Sequence, residues 1–417
     1  MFKRVPGTKD ILPGEVLAWQ ELEEKAKQIF SLYNYKEIRP PLIEEASLFN
    51  RSLGESAEIV QKQMFLISNK DDLYCLRPEA TASVVRAYIE NNLHKQTGFV
   101  KFYYKGAMFR LERPQKGRLR QFHHLGCEAI GSGDPHLDTE VISLADNLLK
   151  AFGLKDYRIK INSLGCLKDK KELSIKLKNS LEAKLEKLCA DCKIRFRNNP
   201  LRILDCKIES CQEIVRGLQI HDDYLCPECK AHFSKVRAGL EALNINYEIS
   251  PLLVRGLDYY TRTVFEIAHK DLGAQDALGA GGRYDNLVKE LGGPDLGAIG
   301  FALGVERVLL VAKSVGEEVL QNRLVYIITL GEPAKSQGLK LLDKLRRAGI
   351  TSDTDYENKS LKSALRLAND SGAPLVLIVG ENELSKDVVT LKDMRLKEQK
   401  EVRYDDLLAQ IELRLRE

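Results

Sequence analysis

The stretch MFRLERPQKGRLRQFHHLGCEAIG, residues 108–131, sets four Arg and one Lys between two aliphatic, Gly-punctuated runs. Arginine's planar fork grips phosphate oxygens in pairs and keeps its charge, so a triphosphate is one ligand such a stretch can hold. In FRLE, read as a strand, Arg110 and Glu112 point to one face and Leu111 to the other. A strand can then offer a cation to a phosphate and a carboxylate to an exocyclic amine. The loop RPQKGRLR places Gln115 and further cations at a turn marked by Pro114 and Gly117, where a nucleic-acid backbone can sit. A solvated basic hairpin would show the same charges, and this stretch alone does not separate the readings.

Around it the chain has three textures. Over residues 1–163, helical patterns such as EVLAWQELEEKAKQIFSLY alternate with β-rich runs such as FVKFYYKGAMFRLER, which predicts an α+β domain on an antiparallel sheet. Over 164–249, Leu173, Leu177, Leu181, Leu185 and Leu188 recur at near-helical spacing among Lys and Glu, which predicts a helical insertion. The β-type pattern resumes over 250–322 with LVRGLDYYTRTVFE, ALGAGGRYDNLV and GAIGFALGVERVLL, and rejoins the first part; Lys313 to Asn322 reads as a connection. From 323 to 417 strands and helices alternate, predicting a small α/β domain with a largely parallel sheet.

Composition limits what these pieces can be. The chain has 417 residues, too many for one ordinary core, and 64 Lys and Arg nearly cancel 60 Asp and Glu. Any basic footprint must therefore be local. The start MFKRVPGTKD has no apolar signal core, and no stretch approaches the roughly 18 apolar residues of a membrane span, so a cytoplasmic protein with no membrane partner is expected. Nine Cys without a secretory signal read as reduced thiols or metal ligands rather than disulfides.

Taken singly, the remaining motifs have plain explanations. Tyr259 and Tyr260 can be aromatic core, the glycines of ALGAGG can serve tight packing and lack the G-x-G-x-x-G order, and Arg307 on a helix can be salt-bridged. Taken in order they resemble one family, the class II aminoacyl-tRNA synthetases, and among them those specific for histidine. VPGTKDILPGE resembles that family's N-terminus, and EIRPPLIEEASLF its motif 1, with Pro41 at the dimer-interface proline. Residues 108–131 resemble motif 2 and GAIGFALGVERVLL motif 3, while LVRGLDYYTRTVFE and ALGAGGRYDNLV resemble the histidine-specific motifs.

The resemblance implies an α+β catalytic domain with a helical insertion and a C-terminal α/β anticodon-binding domain. It implies that the enzyme joins L-histidine to histidine tRNA with ATP and Mg2+, as a homodimer. Arg110 and Arg255 would hold the α-phosphate and Arg307 the γ-phosphate; Glu112 would accept from the adenine amine and Phe122 would stack on its ring. Glu128 and Tyr260 would satisfy the two nitrogens of the substrate imidazole, with Tyr259 and Tyr284 closing the pocket. Glu79 and Thr81 would bind the α-amino group, and Arg113 and Gln115 the extra 5′ guanine of the tRNA. His124 departs from the family, standing where better-known members carry Gln beside the substrate amino group. Neutral imidazole accepts one hydrogen bond but cannot match the amide's paired donor and acceptor.

Six Cys fall between Cys189 and Cys229, spaced C-x2-C, then Cys206 and Cys211, then C-x2-C. Such knuckles suit a structural zinc, although buried free thiols remain the alternative. The expected set is Cys206, Cys211, Cys226 and Cys229, with Cys189 and Cys192 as the rival pair. The competing function is a catalytically inactive paralogue that senses histidine for a biosynthetic enzyme. Such paralogues usually lack the C-terminal domain and lose parts of motif 2 and the Arg of RGLDYY, all of which this chain keeps.

Overall fold

The computed structural model describes residues 2–416 except 55–56, 116, 219, 221, 313–322 and 358. The connection expected at Lys313–Asn322 lies outside the described residues. The chain divides into two compact units, Met1–Gly316 and Glu317–Glu417.

The first unit is built on an eight-stranded sheet in the order Lys36–Glu37, Val100–Phe109, Gln121–Ile130, Ala298–Gly304, Ala277–Arg283, Thr261–His269, Tyr157–Ser163, Glu248–Ile249. The six central strands pair antiparallel, and the two-residue strands at the edges pair parallel. Alternate residues of each strand enter different cores. Leu125, Cys127, Ile299, Phe301, Phe265 and Ile267 pack with the helices Pro13–Leu32, Pro135–Ala151 and Pro227–Ala242. Tyr104, Met108 and Val264 instead pack with Ala46–Leu53 and Thr81–Glu90. A small sheet of Ile43–Glu45, Asp72–Leu76 and Phe65–Asn69 flanks them.

Among the described residues of 167–242 there are helices and no strand, beginning with Leu167–Glu182, which buries Leu173, Leu177 and Leu181. The last helix of this stretch, Pro227–Ala242, sends Val236 and Leu240 into the large core and so packs as part of the sheet-bearing body.

The second unit has strand order Ser352–Thr354, Val325–Thr329, Leu375–Val379, Val388–Asp393, Glu398–Arg403. Only the first three strands are mutually parallel; the last two form an antiparallel hairpin, so the sheet is mixed rather than largely parallel. Among the described residues, no helix is long and apolar enough to cross a membrane.

Candidate active site

The face of the central strands turned away from the long helices forms the floor of a cavity of ≈ 310 Å³. Period-two alternation puts Phe122, His124 and Glu128 on that face of Gln121–Ile130, because Leu125, Cys127 and Ala129 are taken by the helical core. On the neighbouring strand Gly300 stands opposite Glu128. A Cβ at Gly300 would lie 1.8 Å from Glu128 Oε2, so only glycine leaves room for that carboxylate.

Three arginines line the cavity. Arg110 donates from Nε to Pro78 O (3.0 Å), and its guanidinium carbon lies 5.3 Å from the Phe122 ring centroid. Arg307 is fixed by bonds from Nε to Gly117 O (2.9 Å) and from a terminal nitrogen to Ala277 O (2.6 Å). Arg255 donates to Glu266 Oε2 (2.7 Å), while its buried Nε has no hydrogen-bond partner among the described residues. Burial lowers the pKa of Arg110 and Arg307, yet a guanidinium remains charged in proteins. Arg255 is ion-paired to Glu266, but Arg110 and Arg307 bond backbone carbonyls, and such cations in a cavity call for an anion.

Elsewhere on the wall the chemistry changes. Glu128, wholly buried, accepts from Thr81 Oγ1 (2.7 Å), Tyr104 OH (3.1 Å) and Tyr284 OH (2.5 Å). Burial pushes its pKa up to about 8 against those donors. Glu79 accepts from the backbone N–H of Thr81 (2.6 Å) and Ala82 (2.9 Å), capping the helix Thr81–Glu90, and burial raises its pKa. Tyr259 packs on Tyr260 and Tyr284 with ring centroids 4.6 and 5.6 Å away.

Eleven of the residues singled out in the sequence line this one cavity: Glu79, Thr81, Arg110, Glu112, Phe122, His124, Arg255, Tyr259, Tyr260, Tyr284 and Arg307. Glu128 lies beneath them, held by Thr81 and Tyr284. The strand carrying FRLE stops at Phe109, where the Arg110 amide bonds back to Arg120 O, so Arg110 and Glu112 share the cavity through a turn and not through strand alternation. Glu112 is already ion-paired to Arg118 (2.7 Å). Arg113 and Gln115 sit outside, exposed on the hairpin closed by reciprocal backbone bonds between Gln115 and Arg118.

His124 is half-buried in the cavity wall and its pKa falls to about 3, first through desolvation and then through Arg110, Arg77 and Arg307. It is therefore a neutral imidazole, with Nδ1 unpartnered among the described residues. Tyr104, Glu266 and Glu306 were not singled out in the sequence. Tyr104 sits across from Gly126 in the register, so pairing the two aromatic strands is the signal that finds it. Glu306, beside Arg307, accepts from the His123 amide (3.0 Å) and faces its Nδ1 (2.9 Å).

Comparison with known proteins decides what this pocket belongs to. Residues 7–308 match the family model described as histidyl-tRNA synthetase, and residues 324–414 match the anticodon binding domain. The chain belongs to the histidyl-tRNA synthetase family. Its similarity to the histidine–tRNA ligase of Halothermothrix orenii is 46% identity over 409 residues, 97% of this chain and 98% of that one. The ligase of Thermosipho melanesiensis is 47% identical, with 98% of each chain covered. The crystal structure of the apo Staphylococcus aureus histidyl-tRNA synthetase superposes with a TM-score of 0.81 at 35% identity, covering 99% of this chain and 100% of that one. As an aminoacyl-tRNA synthetase of class II, the chain carries that class's antiparallel sheet and, C-terminally, the anticodon-binding domain.

The cysteine assignment made from spacing needs correcting. Cys206 and Cys211 do not join Cys226 and Cys229. They group with Cys189 and Cys192, while Cys226 and Cys229 group with Cys166 and Asp169. Spacing fixes which cysteines form a pair, but the path of the intervening helices fixes which pairs meet.

Proposed function

We propose that this chain activates L-histidine with ATP to histidyl-adenylate and transfers the histidyl group to the 3′ end of histidine tRNA. The observation that carries the reading is the convergence of Arg110, Arg255 and Arg307 on one cavity, beside a buried carboxylate ringed by hydroxyls. The three guanidiniums are placed to hold the triphosphate and absorb the charge that develops at the α-phosphate as the amino acid carboxylate attacks it. Phe122 and Glu112 offer the adenine a ring face and an acceptor. Glu79 and Thr81 are candidates for the α-amino group. Glu128 is the group that takes an imidazole N–H, with Tyr259, Tyr260 and Tyr284 enclosing it. His124, neutral, offers one acceptor where an amide would offer two functions. Mg2+ enters with the nucleotide, bound mainly by phosphate oxygens and water; Glu266 and Asp276 are the wall carboxylates suited to a hard cation.

The competing reading, an inactive sensor, is disfavoured because all three arginines are in the pocket and both domain models match. Arg113 and Gln115, on an exposed basic turn, are suited to the 5′ end of the tRNA. A homodimer is supported by exposed Leu42, Ile43, Leu66, Ile67 and Leu73 on and beside the small sheet, next to exposed Pro41. Work on tRNA supports a cytoplasmic location. Charging assays on histidine tRNA test the whole reading: the full chain should charge it, whereas a chain ending at residue 322 should form adenylate but charge poorly. Equal charging by the two would remove the anticodon role, and sedimentation of the same full chain as a monomer would remove the dimer.

A further inference from the structure

Four cysteines outside the pocket come together in a small apolar cluster with Leu181, Leu188, Ile203 and Val215. Cys189 precedes the helix Ala190–Asn198, Cys206 follows the short turn Pro200–Ile203, and Cys211 lies in the first turns of the helix Glu209–Arg216. The four Sγ atoms of Cys189, Cys192, Cys206 and Cys211 lie within 4.8 Å of one another, with Cys189 and Cys206 4.0 Å apart. A tetrahedral zinc with Zn–S bonds of about 2.3 Å spaces its sulfurs by roughly 3.8 Å, so small side-chain adjustments close the site. All four are free thiols, three of them buried.

Two further features favour a metal over plain core packing. Backbone amides already donate to sulfur: Cys192 N to Cys189 Sγ (3.4 Å) and Cys189 N to Cys211 Sγ (3.3 Å). Such donors favour the thiolate, the form that binds metal. The apolar core here is also thin. Ala190–Asn198 buries only Cys192, and Glu209–Arg216 buries only Cys211 and Val215. Burying a large apolar side chain yields about 1.5–3 kcal/mol, while fixing one residue's backbone costs about 1–2 kcal/mol, so segments this poor in buried residues need a staple.

We propose that Cys189, Cys192, Cys206 and Cys211 form a tetrahedral tetrathiolate site for one Zn2+. Binding releases the thiol protons to solvent and leaves the metal without redox chemistry. The second sulfur group does not share this role. There, both Asp169 oxygens accept from backbone amides, Oδ1 from Cys226 N (3.1 Å) and Oδ2 from Cys166 N (3.2 Å), which accounts for that carboxylate as a helix cap. The zinc site has a path to the pocket. Between Cys192 and Cys206 the chain presents Asn199 and Arg202, which donate to Asp258 Oδ1 (2.9 and 2.8 Å), immediately before Tyr259 and Tyr260.

The test is metal content of the full chain purified without chelator, by plasma mass spectrometry. Wild type should carry about one zinc per chain more than the Cys206→Ser/Cys211→Ser variant, and Cys226→Ser/Cys229→Ser should keep that equivalent. Should the first variant fail to fold, wild type grown on cobalt supplies a second measurement. It should show thiolate-to-cobalt charge transfer with tetrahedral visible bands. A wild-type chain without zinc and without those bands, one holding iron instead, or one losing its metal with Cys226 and Cys229, would overturn the assignment. The metal readout is independent of the proposed synthetase reaction; a rise in the KM for histidine after zinc removal would depend on it.

Discussion

Glu128 shows how a residue's surroundings set its use. Its folded pKa, about 8, lies above the ordinary carboxylate value of about 4.3 because burial disfavours the charge. The folded state therefore binds the proton more tightly than the unfolded chain. The resulting stability is present in full below about pH 4 and is lost as pH climbs through 8. A substrate imidazole that donates its N–H favours the carboxylate, so the KM for histidine should fall as pH rises from about 6 towards 8. Glu128→Gln should raise that KM by about tenfold or more and flatten the pH profile, since an unpaired buried group is costly. Kinetics of both proteins across that range check this, and a variant with the wild-type slope would exclude Glu128 as the titrating group. Much of the pocket was legible at this scale, because arginine, glutamate and tyrosine in that order have few other reasons to cluster. Cys166 and Asp169 were not legible: a lone Cys and a lone Asp at a helix start carry no spacing signal, and only tertiary packing brings them to Cys226 and Cys229.

Between elements, one buried charge network joins three of them. Arg283, at the end of the strand Ala277–Arg283 and wholly buried, donates to Asp138 Oδ1 from two nitrogens (2.7 and 2.6 Å). His232, on the helix Pro227–Ala242, meets Asp138 Oδ2 at 2.8 Å. Arg283 also holds Ser132 O, Asp134 O and Asp285, which fixes the strand end that presents Tyr284 to Glu128. Arg283→Met leaves Asp138 buried beside a single imidazole and should cost about 3–5 kcal/mol. Urea unfolding followed in the first unit should show that loss; a change below about 0.5 kcal/mol would mean the network is not structural. Elements with strong periodicity were read correctly, such as Pro13–Leu32 from EVLAWQELEEKAKQIFSLY and Ala298–Val311 as strand then helix. The strand Glu398–Arg403 escaped because it is a polar edge strand burying only Val402. The hairpin Phe65–Leu76 escaped because Lys70, at φ 53°, takes a turn position where glycine or asparagine would have announced it.

At the scale of the molecule, each unit has its own apolar interior. The cores of the first unit are drawn from residues up to Ala312, and those of the second begin at Val325 and Tyr326. The 17 Lys and Arg of residues 323–417 against 16 Asp and Glu leave the second unit almost neutral, so any grip on RNA must be local and must read unpaired bases. On the proposed reading, the chemistry and the 5′ end of the tRNA fall to the first unit and the anticodon to the second, with the amino acid chosen in the first unit's cavity. Pyrophosphate exchange with Mg-ATP, run without tRNA on each of the twenty amino acids, tests that claim most directly. Histidine should support exchange, and the other nineteen should fall below it by about 10⁴-fold, because a site built to hydrogen-bond an imidazole discriminates strongly against side chains that cannot pair with Glu128. Exchange with no amino acid, or equal exchange with a second one, would contradict the account.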